Sequence, residues 1–191
     1  MKLRKALLIT LGCALTTALT SLSASAAEGT LTGQVGVAVT IKEGCTVANG
    51  SSSSGTNSWG TLNFGTYADL TSAINGSVLG SDGTDAVTVT CTDGLSPTLT
   101  LDGGLNESDS VRNMVATTTS STTTTTSDIA YHLYSDASYG TEIKPGDSIS
   151  LTANGDAQSI PIYGRILPGD QTSTAPASGT YTDTVTATLA W

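Results

Sequence analysis

The chain has 191 residues, with sixteen acidic against seven basic side chains for a formal charge of −9, and it carries one histidine, three cysteines and 5 % aromatic residues. A surface this acidic is a poor partner for nucleic acid or anionic lipid. One histidine also leaves a single centre around which a Ser-His-Asp arrangement could form.

In chain order, Lys2, Arg4 and Lys5 precede an apolar run from Ala6 to Leu19, and Ala24-Ser25-Ala26 follows. That sequence of features predicts a secretory signal peptide, residues 1–26, removed after Ala26. The run is shorter than the roughly 20 residues a spanning helix needs, and Thr10, Gly12, Thr16 and Thr17 interrupt it. No membrane span is expected after removal. Removal also takes Cys13 and three basic residues, leaving four basic against sixteen acidic, a charge of −12. The mature chain is long enough for one domain.

From Ala27 onward, Leu31, Gly33, Val35, Val37, Val39 and Ile41 fall in one alternating register. A strand is expected near 35–42. Fully extended, 27–42 would reach about 50 Å, against about 20 Å for an ordinary sandwich strand. Two readings stand at this point. One is a frayed tail leading into a first strand. The other is β-strand addition, in which 27–35 leaves its own domain, Leu31 and Val35 enter apolar pockets of a neighbouring molecule, and Gly33 lies where no side chain fits.

Cys45 and Cys91 are the remaining cysteines, and an even pair in an exported chain reads as a disulfide. A metal site would want a further ligand. The one histidine, His132, lies in the alternating run 129–134 and reads as a surface residue. Further strands are expected near 60–67, 86–92, 97–102, 129–135, 148–153, 158–167 and 180–191, separated by Gly, Asn and Asp, which marks an all-β sandwich. Two low-complexity stretches, 49–58 and 117–127, read as solvated loops; glycosylation or surface recognition is the alternative, and the Thr-rich second stretch also suits an edge strand. The carboxylates of 81–85 and 101–104 lie in turn-forming sequence with Gly. No Gly-x-Ser-x-Gly elbow is present, so neither an enzyme nor a cofactor is expected.

The last residues alternate without a break. Tyr181, Asp183, Val185, Ala187, Leu189 and Trp191 share one face, and Thr dominates the other. In a sandwich whose final strand ends the sequence, the edge beside that strand and the core next to it must be covered by an earlier segment or by another molecule. A spare alternating strand at one end complements an open edge at the other, and head-to-tail contacts of that kind do not close.

The segments 32–35, 44–47, 60–65, 87–91, 160–166 and 179–183, taken in order, resemble the spore coat protein U domain family, most closely the major subunits of archaic chaperone/usher pili. The resemblance covers the mature chain apart from the repetitive 117–127 tract. It implies an incomplete immunoglobulin-like β-sandwich completed by a donor strand from a neighbouring subunit. Implied partners are a periplasmic chaperone that lends a strand, an outer-membrane usher and other copies of the same chain in a homopolymer. The product would be a cell-surface pilus for adhesion and biofilm formation, reached by secretion through the periplasm. By match, 27–35 is the donor segment with Leu31, Gly33 and Val35, and 36–191 is the pilin domain. The acceptor groove is bordered by Tyr181, Val185, Ala187, Leu189 and Trp191, and Cys45–Cys91 is the family's disulfide. A minor or tip surface-binding subunit, or a cell or spore coat protein, would use the same domain.

Overall fold

Thr, Val and Ser in short alternating runs give eleven β-strands and a single 3-10 turn, Pro168–Asp170, in the computed structural model, which describes residues 30–48, 58–120 and 123–191. The expected signal segment, residues 27–29 of the expected donor segment and most of the 49–58 stretch lie outside the described residues. The chain divides into two units, Met1–Val39 and Thr40–Trp191. Among the described residues no helix is long and apolar enough to cross a membrane.

The strands are β1 (Cys45–Val47), β2 (Gly60–Leu62), β3 (Ile74–Gly80), β4 (Val87–Cys91), β5 (Thr98–Leu101), β6 (Arg112–Ser120), β7 (Thr123–Tyr134), β8 (Ser148–Ser150), β9 (Ala157–Ile160), β10 (Tyr163–Ile166) and β11 (Ala187–Ala190). They form one five-stranded sheet, β2-β3-β10-β7-β6, and two three-stranded sheets, β1-β4-β9 and β11-β5-β8, with every pairing antiparallel. Alternate residues of the large sheet, Ile74, Val78, Ile129, Tyr131, Leu133 and Ile166, pack in one core with Val87, Val89, Leu99, Leu101 and Ile160 of the small sheets. The fold is all-β, as the period-two pattern requires.

Cys45 and Cys91 face each other in the β1–β4 register and are bridged, with Cα atoms 4.0 Å apart and a sequence separation of 46. Closing a loop of that length is worth about 4 kcal/mol in the chain-entropy account. Reduction of the folded chain is expected to lower its unfolding free energy by that order; a denaturation midpoint unmoved by reductant would contradict this.

Several expectations are corrected by the structure. Residues 30–44 contain no strand. Their alternation is real, but a strand needs an edge to pair with, and these side chains lie exposed: from 76 % at Ile41 to 102 % at Leu31, with Val35, Val37 and Val39 between. The run 158–167 is two strands rather than one, because Pro161 has no N–H to donate and the chain changes sheets there, β9 pairing with β4 and β10 with β3 and β7. Of the two readings of the Thr tract, loop or edge strand, the structure takes the strand. It forms the far end of a β6–β7 hairpin, paired continuously from Arg112↔Tyr131 to Ser120↔Thr123.

β3 interrupts the apolar alternation, since Gly76 occupies a core-facing position. The reason is contact. Gly76 and Gly164 are register partners, and a Cβ at Gly164 would meet Leu62 Cδ1 and Phe64 Cζ at 2.7 Å. Leu62 and Phe64 therefore lie across a shelf of two glycines, which brings the chain after β2 over the sheet.

Candidate functional site

The residues after Tyr181 leave one sheet and join another. Thr182 exchanges both backbone hydrogen bonds with Val115 of β6, at 2.9 and 3.1 Å. Leu105 N–H then donates to Thr184 C=O, Asp102 N–H donates to Thr186 C=O, and the chain enters β11 beside β5 in the register Ala187↔Leu101 to Ala190↔Thr98. The single strand expected over 180–191 is thus a crossing segment followed by a four-residue ladder.

Along this path the even-numbered residues turn their backbone groups toward β5, β6 and the loop between them. By the alternation of an antiparallel pair, Asp183, Val185, Ala187 and Leu189 turn theirs to the opposite side. β11 is the outer strand of its sheet, so that side is an open edge. β2 is likewise an outer strand. Trp59 C=O accepts from Ser81 N–H on the β3 side, which leaves the N–H and C=O groups of Gly60 and Leu62 facing away from β3.

Between these two edges lies a groove of about 740 Å³. Trp59, Leu62 and Phe64 line one wall and Tyr181, Val185 and Ala187 the other, over a floor that includes Val78, Leu101, Met114 and Leu133. A second hollow of about 380 Å³ continues it toward the chain end, between Cys45, Val47 and Trp59 on one side and Ala187, Leu189 and Trp191 on the other. The disulfide therefore sits in the wall of the groove. Val47, Trp59, Leu62, Phe64, Met114, Tyr181, Val185, Ala187 and Leu189 are only partly buried although they pack on the core, which is what a core lacking one cover strand looks like. All the residues expected on this face, Tyr181, Val185, Ala187, Leu189 and Trp191, line one hollow or the other. Sequence reading did not find the facing wall, Trp59 to Phe64, nor the floor.

Asp183 is the one charged residue among the described lining residues. Tyr131 OH donates to Asp183 Oδ2 at 2.7 Å, and Leu105 N–H and Asn106 Nδ2 donate to Asp183 Oδ1, each at 3.0 Å. Burial, and after it the accepting carboxylate, push the Tyr131 phenol far above its ordinary range. Asp183 is thereby satisfied within its own chain and ties the crossing segment to the 103–106 loop. Gly104 makes that approach possible. Its φ is +81°, and a Cβ there would lie 2.0 Å from Asp183 Oδ2.

Below this end of the groove, Arg112 is 2 % exposed. Its Nε donates to Asp102 C=O at 2.8 Å, Nη1 to Ile143 C=O at 2.6 Å and Nη2 to Leu101 C=O at 3.2 Å. Burial works against the guanidinium charge, and the neighbouring Asp102 carboxylate supports it. Asp102 Oδ1 in turn accepts from Gly104 N–H at 2.9 Å and Thr186 N–H at 2.7 Å. Burial raises the Asp102 carboxyl and these hydrogen bonds more than offset it, so the net direction is down. Arg112 and Asp102 together hold the end of β5 and, through Thr186, the groove wall.

His132 lies away from the groove, its Nδ1 2.8 Å from Glu142 Oε1 and its Nε2 3.1 Å from Asp170 Oδ2. Its ring joins two loops. Among the described residues no cluster of His, Cys, Asp or Glu suits a metal.

Among solved structures the chain is similar to one in a crystal structure of the CsuC–CsuE chaperone–tip adhesion subunit pre-assembly complex, from the archaic chaperone-usher Csu pili of Acinetobacter baumannii. That match has 21 % identity and a TM-score of 0.47, and it covers 80 % of this chain and 40 % of that one. No curated protein matches. The Spore Coat Protein U domain matches residues 31–188, most of the chain, and on that match the protein belongs to the Spore Coat Protein U domain family.

Proposed function

We propose that this chain is a structural pilus subunit that polymerises head to tail, each copy laying its N-terminal alternating segment into the groove of the next. The observation that carries the reading is the pairing of two incomplete features: an apolar groove with hydrogen-bonding groups along both walls, and an alternating segment whose apolar residues have no cover. The segments 31–41 and 181–191 are equally long and place apolar residues at the same period. An inserted strand gains main-chain hydrogen bonds at the edges and apolar burial at every second residue. Val37, Val39 and Ile41 continue the register of 27–35 and are exposed, which supports a donated segment reaching to Ile41.

A chain carrying both donor and acceptor propagates, which favours a repeating rod subunit over a terminal one. Family membership supports assembly with help: a periplasmic chaperone to cover the groove, then an outer-membrane usher to exchange that cover for the next subunit. The mature chain, freed of 1–26, would reach the cell surface as a fibre serving adhesion and biofilm formation.

The test is gel electrophoresis in SDS without boiling, comparing the exported chain with a version lacking 27–35. The expected result is a ladder that collapses on boiling and is absent from the deletion. Two folded monomers of equal mobility, apart from the deleted mass, would overturn the reading.

A further inference from the structure

The Thr-rich hairpin is not used by the assembly described above. β6 is an outer strand of the five-stranded sheet, at the end opposite β2. Its even-numbered residues pair with β7, and Val115 turns its N–H and C=O outward to Thr182. By the same alternation Thr117 and Thr119 turn theirs outward, and no described backbone group pairs with them there. Natural sheet edges are guarded by Lys, Pro, bulges or very short strands. Here 113–127 carries no charge and no proline, Thr117 is exposed, and the β6–β7 ladder is regular to its last pair. The opposite side of the hairpin, past the end of β10, does carry a guard in Asp128. β1, β2 and β8 are edges of three residues each.

We infer that the outward edge of β6 at 116–120 is a pairing surface for the same edge of a second copy of this chain, and that it joins fibres side by side. The occupant follows from the chemistry. An edge with free N–H and C=O groups at Thr117 and Thr119 is complementary to itself when run antiparallel about Thr118. Two copies of a molecule at −12 repel, so they meet best where neither carries charge, and 113–127 is such a stretch. One contact of this size is marginal alone. Repeated along two fibres it becomes multivalent and persistent. The inference therefore rests on the head-to-tail reading.

The test uses the full exported chain in three forms: wild type, Thr119→Pro, which removes an outward N–H without touching the bonds to β7, and Thr117→Lys, which places a guard on the edge should the proline variant fail to fold. Unboiled SDS gels report end-to-end assembly, and negative-stain electron microscopy reports lateral association. Expected are ladders for all three, with side-by-side bundles for the wild type and single filaments for the folded variants. Ladders with single filaments in the wild type, or bundles that survive Thr117→Lys, overturn the edge pairing alone. Absence of any ladder refutes head-to-tail assembly, and the edge pairing falls with it.

Discussion

Leu31→Asp and Val35→Asp are each expected to abolish the SDS-resistant ladder while leaving the free subunit as stable as before. Both side chains are exposed in the free chain, Leu31 at 102 % and Val35 at 87 %, so a carboxylate there costs the monomer within about 0.5 kcal/mol. In the assembled fibre the same carboxylate would enter an apolar hollow beside Trp59, Leu62 and Val185, where an unpaired charge costs about 3–5 kcal/mol. A loss of that size at every joint stops growth. Thr32→Asp, on the opposite face of the same segment, is the control and should still form ladders. Normal ladders from Leu31→Asp and Val35→Asp would show that these residues are not the buried ones.

Arg112→Met carries the largest expected effect on folding. The guanidinium satisfies three main-chain carbonyls, and methionine offers them nothing. Leu101 C=O keeps Gly146 N–H at 2.8 Å, but the acceptors at Asp102 and Ile143 are orphaned, and we expect a loss of about 3–5 kcal/mol, a large share of a domain's total stability. The wall of the groove should suffer with it, because Asp102 also accepts from Thr186. Urea denaturation of the exported chain measures this. A loss under about 1 kcal/mol would mean that the carbonyls find other donors.

Fold class and one wall of the site were legible because both rest on period-two patterning. Tyr181, Val185, Ala187, Leu189 and Trp191 alternate so cleanly that their shared face needs no structure to see. The facing wall was not legible. Trp59 to Phe64 borders the groove only because the Gly76–Gly164 pair lets Leu62 and Phe64 lie across the sheet, and that contact joins segments about a hundred residues apart in sequence. The register partnership of Arg112 with Tyr131 is hidden for a similar reason: the hairpin that sets it runs through threonines, whose composition suits a loop as well as a strand. At 35–42 the alternation is present and no strand forms. Alternation reports which face a segment can bury, whereas a strand forms only where an edge is present to receive it. Asp183 stood out as a charge on an apolar face, and its meaning lies in donors from Tyr131, Leu105 and Asn106 that only the fold assembles.

Hydrogen exchange at single residues of 181–190, in free subunit and in fibre, tests donor-strand insertion most directly. In the free subunit Thr182 and Thr186 have amide acceptors and should be protected, while Asp183, Val185, Ala187 and Leu189 point to an open edge and should exchange quickly. Insertion of a strand predicts that these four amides become protected in the fibre, with the other two unchanged. Fast exchange at Val185, Ala187 and Leu189 in assembled fibres would contradict it.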